Sequence, residues 1–284
     1  MPFRSRTALG LLAACLLAAP VSAQQPAKIE FPRPSPHATF TQTVGLTDIT
    51  IAYSSPAVRG RKIWGDVVRY DTVWRAGANE CTKVTFSKPA TVGGKPVPAG
   101  SSCLFLLPTK TGWTLILNKD TTLAGSDGYK ESGDLLRVPA TVTTIPLRER
   151  LAYQILDFND DGGTLALEWD TLRIAVKFET GTRAALLAEI RALKTDDWKP
   201  YNSAARYLLD AKLDPAYAME LVDRSIKLQE DWFNVWTKAE LLHAAGKTQE
   251  AIADGQRAQA LGAKSQNFFF KDEIVKWLAD WQKK

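Results

Sequence analysis

Histidine is almost missing from this chain: there are two, His37 and His243, in 284 residues. Cysteine is nearly as scarce, with three, and the first of them, Cys15, falls inside an N-terminal apolar run. Zinc sites built from several His or Cys ligands are therefore excluded for want of ligands. A serine triad would have to use one of the two histidines, and no Gly-x-Ser-x-Gly elbow is present to carry its nucleophile. Neither a P-loop nor a dinucleotide-binding glycine fingerprint occurs, and no cofactor is expected. Concentrated charge is missing too. Beyond residue 23 the chain has 34 basic and 31 acidic residues, divided 18 to 16 over residues 24–180 and 16 to 15 over residues 181–284. Nucleic-acid binding draws on clustered positive charge, so nucleic acid and anionic membrane are discounted as partners. After the N-terminus, no apolar run is long enough to span a bilayer.

That N-terminus carries an address. Arg4 and Arg6 precede an apolar run from Ala8 to Ala19, and Val21-Ser22-Ala23 closes it with small residues. A basic start, a short apolar centre and such an end predict a secretory signal peptide over residues 1–23, and so a periplasmic or secreted protein. Leu12-Ala13-Ala14-Cys15 also resembles a bacterial lipoprotein cleavage box. Only a short stretch separates Arg6 from Cys15, however, and the run stays apolar afterwards, so cleavage after Ala23 is the reading adopted. Two cysteines remain, Cys81 and Cys103. An oxidising compartment invites a disulfide between them, while their apolar surroundings equally suit two buried thiols.

Residues 24–36, rich in Pro and Gln, read as an extended lead-in. From 37 to 180 the chain reads as short strands. Ile49, Ile51 and Tyr53 alternate with Thr50 and Ala52, and Val84 and Phe86 alternate with Lys83 and Thr85. Cys103–Leu107 and Trp113–Leu117 flank a Pro-Thr-Lys-Thr-Gly turn, Ala152–Phe158 and Thr164–Trp169 flank a second hairpin, and Leu172–Phe178 follows. The pattern predicts an antiparallel β sandwich or barrel.

The texture changes at Thr180-Gly181. Leu186, Leu187, Ile190 and Leu193 recur at helical spacing, and helices are expected to the end of a second domain, residues 181–284. Trp198 and Trp232, Ala205 and Ala239, and Leu208 and Leu242 each lie 34 apart, and Ala218 and Ala251 lie 33 apart. Such a period resembles tetratricopeptide repeats, with Phe268–Trp281 as a capping helix. The chain is thus all-β followed by all-α. Repeats of this kind imply a protein partner.

Three groups of residues carry possible chemistry. Asp157, Asn159, Asp161, Gly162 and Glu168 fit the spacing of an EF-hand calcium loop, in which a turn gathers oxygen ligands and a last Glu chelates from the far side. Both flanks alternate like strands, though, and Asp-Asp-Gly-Gly is also a hairpin turn, so no metal site is adopted. His37, near the expected start of the mature chain, and His243, in a repeat helix, are read first as structural. The densest group is Arg59, Arg61, Lys62, Trp74, Arg75, Asn79 and Glu80. Arginines suit a carboxylate or phosphate and tryptophan offers a flat stacking face, so this cluster is a candidate site for a small anionic or sugar-like ligand. The alternative is a structural network in which Arg75 pairs with Glu80.

Several ordered segments resemble one family. They are Ser35-Pro36-His37-Ala38, Val44 to Thr50, Tyr53-Ser54-Ser55-Pro56, Gly60 to Gly65, Trp74 to Glu80 and Gly112 to Lys119. Together they are similar to the bacterial DUF2911 family over roughly residues 35–178. The chain departs from that pattern at Ser55, where an arginine is expected, and at Ser102-Cys103, in place of Tyr-Ser. The resemblance implies an exported β domain and no particular activity. The reading that results is a non-catalytic ligand-binding or protein-interaction scaffold. The alternative is a hydrolase of envelope or extracellular polymers, with Glu80 or other carboxylates as acid–base groups and Arg75 and Asn79 orienting substrate.

Overall fold

A computed structural model describes residues 30–283. The expected signal peptide, Cys15 and the first part of the lead-in lie outside the described residues. Nine strands form one antiparallel sheet: β1 (His37–Val44), β2 (Thr47–Ser54), β3 (Thr82–Phe86), β4 (Ala90–Val92), β5 (Lys95–Val97), β6 (Gly100–Pro108), β7 (Trp113–Asn118), β8 (Asp134–Asn159) and β9 (Gly162–Glu179). Their order is β1-β2-β3-β6-β7-β8-β9-β4-β5, so the sheet is open. It is sandwich-like because β8 serves two partners in succession. Its first part, to Ala140, pairs with β7 and the rest pairs with β9, through register shifts between Thr144 and Ala152. Such irregularities let a strand bend, and the sheet folds over on its own apolar face. A backbone bridge between Ala57 and Arg150 ties the chain after β2 to β8.

The alternation in β2 sets which face is which. Thr47, Ile49, Ile51 and Tyr53 are buried, while Asp48 is exposed and Thr50 and Ala52 are half-buried. The inward residues join Val84, Phe86, Leu104, Leu115, Leu117, Tyr153, Leu167 and Val176 in one core. At its centre four tryptophans meet. Trp64 lies edge-on to Trp113, Trp169 and Trp74 at 5.2, 5.8 and 6.1 Å, and Trp74 stacks on Trp169 at 5.9 Å. The structure adds β1, β4, β5 and the first half of β8 to the strands expected from alternation. Pro139, Pro146 and the charged run Arg148-Glu149-Arg150 mask strand character in that half of β8.

Six helices follow: α1 (Thr182–Ala192), α2 (Trp198–Asp210), α3 (Pro215–Leu228), α4 (Trp232–Ala244), α5 (Thr248–Gly262) and α6 (Lys271–Trp281). The starts have local causes. Asp197, Asp214 and Asp231 each accept a backbone N–H of the following turn, Pro215 occupies the first turn of α3, and Asn234 completes a capping box with Asp231. Ile190 of α1 packs with Tyr201, Ala205 and Leu208 of α2. At the other end Ile274, Leu278 and Trp281 of α6 cover α4 and α5. Gly255 makes that fit possible, since an added Cβ would lie 2.6 Å from Leu278. α1 joins the β domain where Asp161, in the β8–β9 turn, accepts from Arg183 N at 2.7 Å and pairs with its guanidinium at 3.0 Å. Gly45, at φ +57° in the β1–β2 turn, sits so close that a Cβ there would overlap Asp160 O and Thr182 Oγ1.

Candidate functional site

The cluster predicted between Arg59 and Glu80 is mostly turned to holding its own loop. Arg61 spends its guanidinium on the carbonyls of Val58 and Ala57, at 3.1 and 2.6 Å. Arg59 takes a left-handed φ of 52° and donates its N–H to Glu149 Oε1 at 2.9 Å. Lys62 is exposed. Trp74 points inward to the tryptophan group, and its indole N–H donates to Gly77 O at 3.1 Å. The backbone N–H of Arg75 donates to Ser126 Oγ at 3.1 Å, while its Nε is buried and has no partner among the described residues. Asn79 Nδ2 donates to Ser35 O at 3.3 Å.

Arg75 and Glu80, expected as partners in a structural network, are not paired. Glu80 faces Arg33 instead, at 3.5 Å, with both side chains about two-thirds exposed. Its own backbone N–H, and then Arg33, hold its carboxyl below the usual carboxylate range. An acid catalyst needs the opposite shift. The loop before Glu80 is fixed from beneath: Ala76, at φ 52°, offers its carbonyl to Tyr153 Oη at 2.7 Å and Thr82 Oγ1 at 3.0 Å. Burial pushes the Tyr153 phenol far up, so it stays a proton donor.

The calcium-like set is divided. Asp157, Asn159 and Asp161 line an open cleft of about 750 Å³ at the β8–β9 turn, together with Lys177 and Arg183. Asn159 Oδ1 accepts from Asp161 N at 2.8 Å, and the Asp161 carboxylate serves Arg183. Glu168 is buried in β9 and accepts from Arg148, Arg173 and Gln154 at 2.9, 2.7 and 3.0 Å. Two guanidiniums therefore occupy the carboxylate that would have closed a calcium site. Among the described residues, no group of three or more His, Cys, Asp or Glu is placed to hold a metal.

Cys81 and Cys103 form a disulfide with Cα atoms 5.7 Å apart. The bridge joins the end of the loop to β6 and packs with Phe105 and Ile116. Beside it, on the outer face of the sheet, is a cavity of about 280 Å³ lined by Arg33, His37, Ala52, Ser54, Glu80 and Lys83. The β1–β2 register sets His37 opposite Ser54, and the β2–β3 register sets Ala52 opposite Lys83. Ser54 is 2% exposed, and its hydroxyl has no partner among the described residues. Sequence reasoning singled out His37 and Glu80 but missed Ser54, Lys83 and Arg33. The signal available was period two: from the buried Tyr53, the next residue along β2 must face the outer side.

The helical region holds a second recess, of about 340 Å³, between α2, the start of α4 and the α5–α6 connection. Trp198, Lys199, Asn202, Trp232, Phe233 and Phe269 line it. Asn202 is 1% exposed and its Oδ1 has no partner among the described residues. Phe269 is 58% exposed. Arg206 lies over the rings of Phe233 and Phe270 and pairs with Glu240 at 2.6 Å. His243 stacks on Trp281 at 4.4 Å, which gives it a packing role.

Fold and sites together define an all-β domain with a polar pocket on its outer face, followed by a helical region with an aromatic recess. The chain belongs to the DUF2911 family, a family of proteins of unknown function, whose model matches residues 35–178, just over half of its length. It matches no curated protein and no solved structure.

Proposed function

We propose that the chain is an exported, non-catalytic binding protein whose tetratricopeptide-like helical region takes a segment of a protein partner. The observation that carries this reading is the recess at Asn202. A buried amide oxygen without a partner is costly, and an asparagine amide, offering one donor group and one acceptor, matches the two polar groups of a peptide bond. Trp198, Trp232 and the exposed Phe269 supply aromatic walls around it, the composition that dominates binding energy at protein interfaces. The repeat architecture is supported by helix starts: α2 and α4 begin at Trp198 and Trp232, 34 residues apart. Export, to the periplasm or beyond, is supported by the residue 1–23 pattern and by the Cys81–Cys103 bridge, since disulfides persist in oxidising compartments.

The test is cross-linking of partners in the exported fraction, comparing wild type with Phe269→Ser and Asn202→Leu. Phe269 is more than half exposed but touches Trp232 and Phe233, so each variant's melting temperature is measured alongside and must match wild type. A partner held by wild type and lost from both variants is expected. Equal recovery by all three proteins would remove the recess from the proposal. Glu80, held below the usual carboxylate range and paired with Arg33, is poorly suited to be the acid of the hydrolase reading.

A further inference from the structure

We infer that the outer-face pocket of the β domain, beside the disulfide, binds a small monocarboxylate, with Lys83, Arg33 and the Ser54 hydroxyl as its donors.

The charge balance sets the sign of the ligand. Among the described residues that line the pocket, Arg33 and Lys83 are cationic, Glu80 is the single acid, and His37 is also present. With His37 neutral, the pocket carries one net positive charge, which one carboxylate cancels. Lys83 makes no ion pair among the described residues. Among the described residues Arg33 is held by one exposed contact, to Glu80 at 3.5 Å, and exposed pairs of that kind are weak. Among the described residues the His37 ring is hydrogen-bonded to Thr39 alone, at 3.3 Å.

Ser54 supplies the second, independent sign. Polar groups this deeply buried are nearly always satisfied, yet its Oγ has no partner among the described residues, while Arg33 and Lys83 line the same pocket. A hydroxyl in such surroundings donates to an acceptor that the cations also attract, and a carboxylate is both. Size follows from the walls. About 280 Å³ is below the range of pockets for drug-sized ligands, and Ala52 and Cys81 contribute apolar lining, which suits a short aliphatic chain. The pinned backbone from Ala76 to Glu80 and the Cys81–Cys103 bridge make the rim rigid before ligand arrives.

The acid can be a free organic acid or the C-terminal carboxylate of a peptide, and four probes separate these sources from each other and from chance. Calorimetric titration and thermal shift of the purified protein would use propionate, propionamide, the dipeptide Ala-Ala and its C-terminal amide, all at constant ionic strength. Propionate and Ala-Ala are expected to bind with one-site stoichiometry and raise the melting temperature, and the two amides are not. Tenfold tighter binding of Ala-Ala than of propionate would identify a peptide end, and equal binding a free acid. Lys83→Ala should weaken binding at least tenfold. Ser54→Ala should do likewise while melting at or above wild type without ligand, because it deletes an unpartnered buried hydroxyl. Binding of propionamide as strong as that of propionate, an absence of saturable binding by both acids, or full binding by Ser54→Ala and Lys83→Ala would each overturn the assignment. So would a Ser54→Ala protein that melts well below wild type, since the hydroxyl would then have a structural partner.

Discussion

The β domain and the helical region reach the same end, a closed apolar core, by opposite routes, and the contrast decides where each can spare polar groups. In the β domain the core is assembled from distant parts of the chain: Tyr153 holds Ala76, Glu149 holds Val58 and Arg59, and Cys103 is bridged to Cys81. Long connections between strands must be held down, and most of the Arg, Asn and Trp residues of the 56–80 segment are used for that. In the helical region most helix contacts are between neighbours in sequence, and α2, α3 and α4 start at local aspartate caps. Polar ties between its helices are few, such as Ser225 Oγ to Trp198 O and Arg206 to Glu240, and the Asn202 amide oxygen is left without a partner among the described residues. A dense polar sequence is therefore a poor guide to a binding site in the first region, and a plain one can hide a recess in the second.

The sharpest way to break that contrast is to remove the centre of one core. Trp169 is 1% exposed and touches both Trp64 and Trp74. Trp169→Ala should cost about 3–5 kcal/mol. If the two regions are held separately, loss of sheet signal in circular dichroism should move to lower denaturant while the helical transition stays in place. A shared shift of both transitions would make them one cooperative unit joined through Asp161 and Arg183. Next in size, the double variant Cys81→Ser, Cys103→Ser opens a loop closed across a separation of 22 residues, worth about 3 kcal/mol by loop entropy. It too should act on the β transition alone. Gly255→Val works on the other side. Its side chain would press into Leu278, and overpacking of that kind costs about 1–3 kcal/mol, here confined to the contact of α5 with α6.

What the sequence revealed follows the same division. Alternation in β2 and β3 and helical spacing from Leu186 onward reported their elements directly, because each pattern arises from one face meeting one core. The first half of β8 stayed hidden because Pro139, Pro146 and a charged run interrupt the alternation where the strand changes partners. In the candidate site, Glu80 and His37 stood out by residue type. Ser54 and Lys83 did not, because their meaning depends on which strands lie side by side: Lys83 comes opposite Ala52 only through pairing across a gap of some thirty residues. The supposed Arg75–Glu80 pair failed for the complementary reason. Nearness in sequence put them together, but Ala76 and Asn79 both take left-handed backbone between them, at φ 52° and 60°, and the intervening turn sends the two side chains to different partners.

The smallest predicted effect compares one carboxylate from each region through pH. Glu80 is held below its ordinary value by its own backbone N–H and by Arg33. A lowered carboxyl stabilises the fold above its unfolded value near 4.5, and that contribution is lost as pH falls through the lower folded value. Glu240 is shifted the other way: burial raises it, and Arg206 only partly offsets the burial. Its protonated form is favoured in the folded state, so stability is fully present below about the unfolded value and declines as pH rises through the raised one. Both residues changed to Gln lose their titration, and the signs separate. Relative to wild type, Glu80→Gln should be slightly weaker at pH 7 than at pH 3, by about a few tenths of a kcal/mol because the pair is exposed. Glu240→Gln should gain on wild type over the same interval. Urea midpoints at the two pH values measure both differences. If the two variants moved in the same direction with pH, the division between an exposed, partnered acid in the β domain and a desolvated one in the helices would fail.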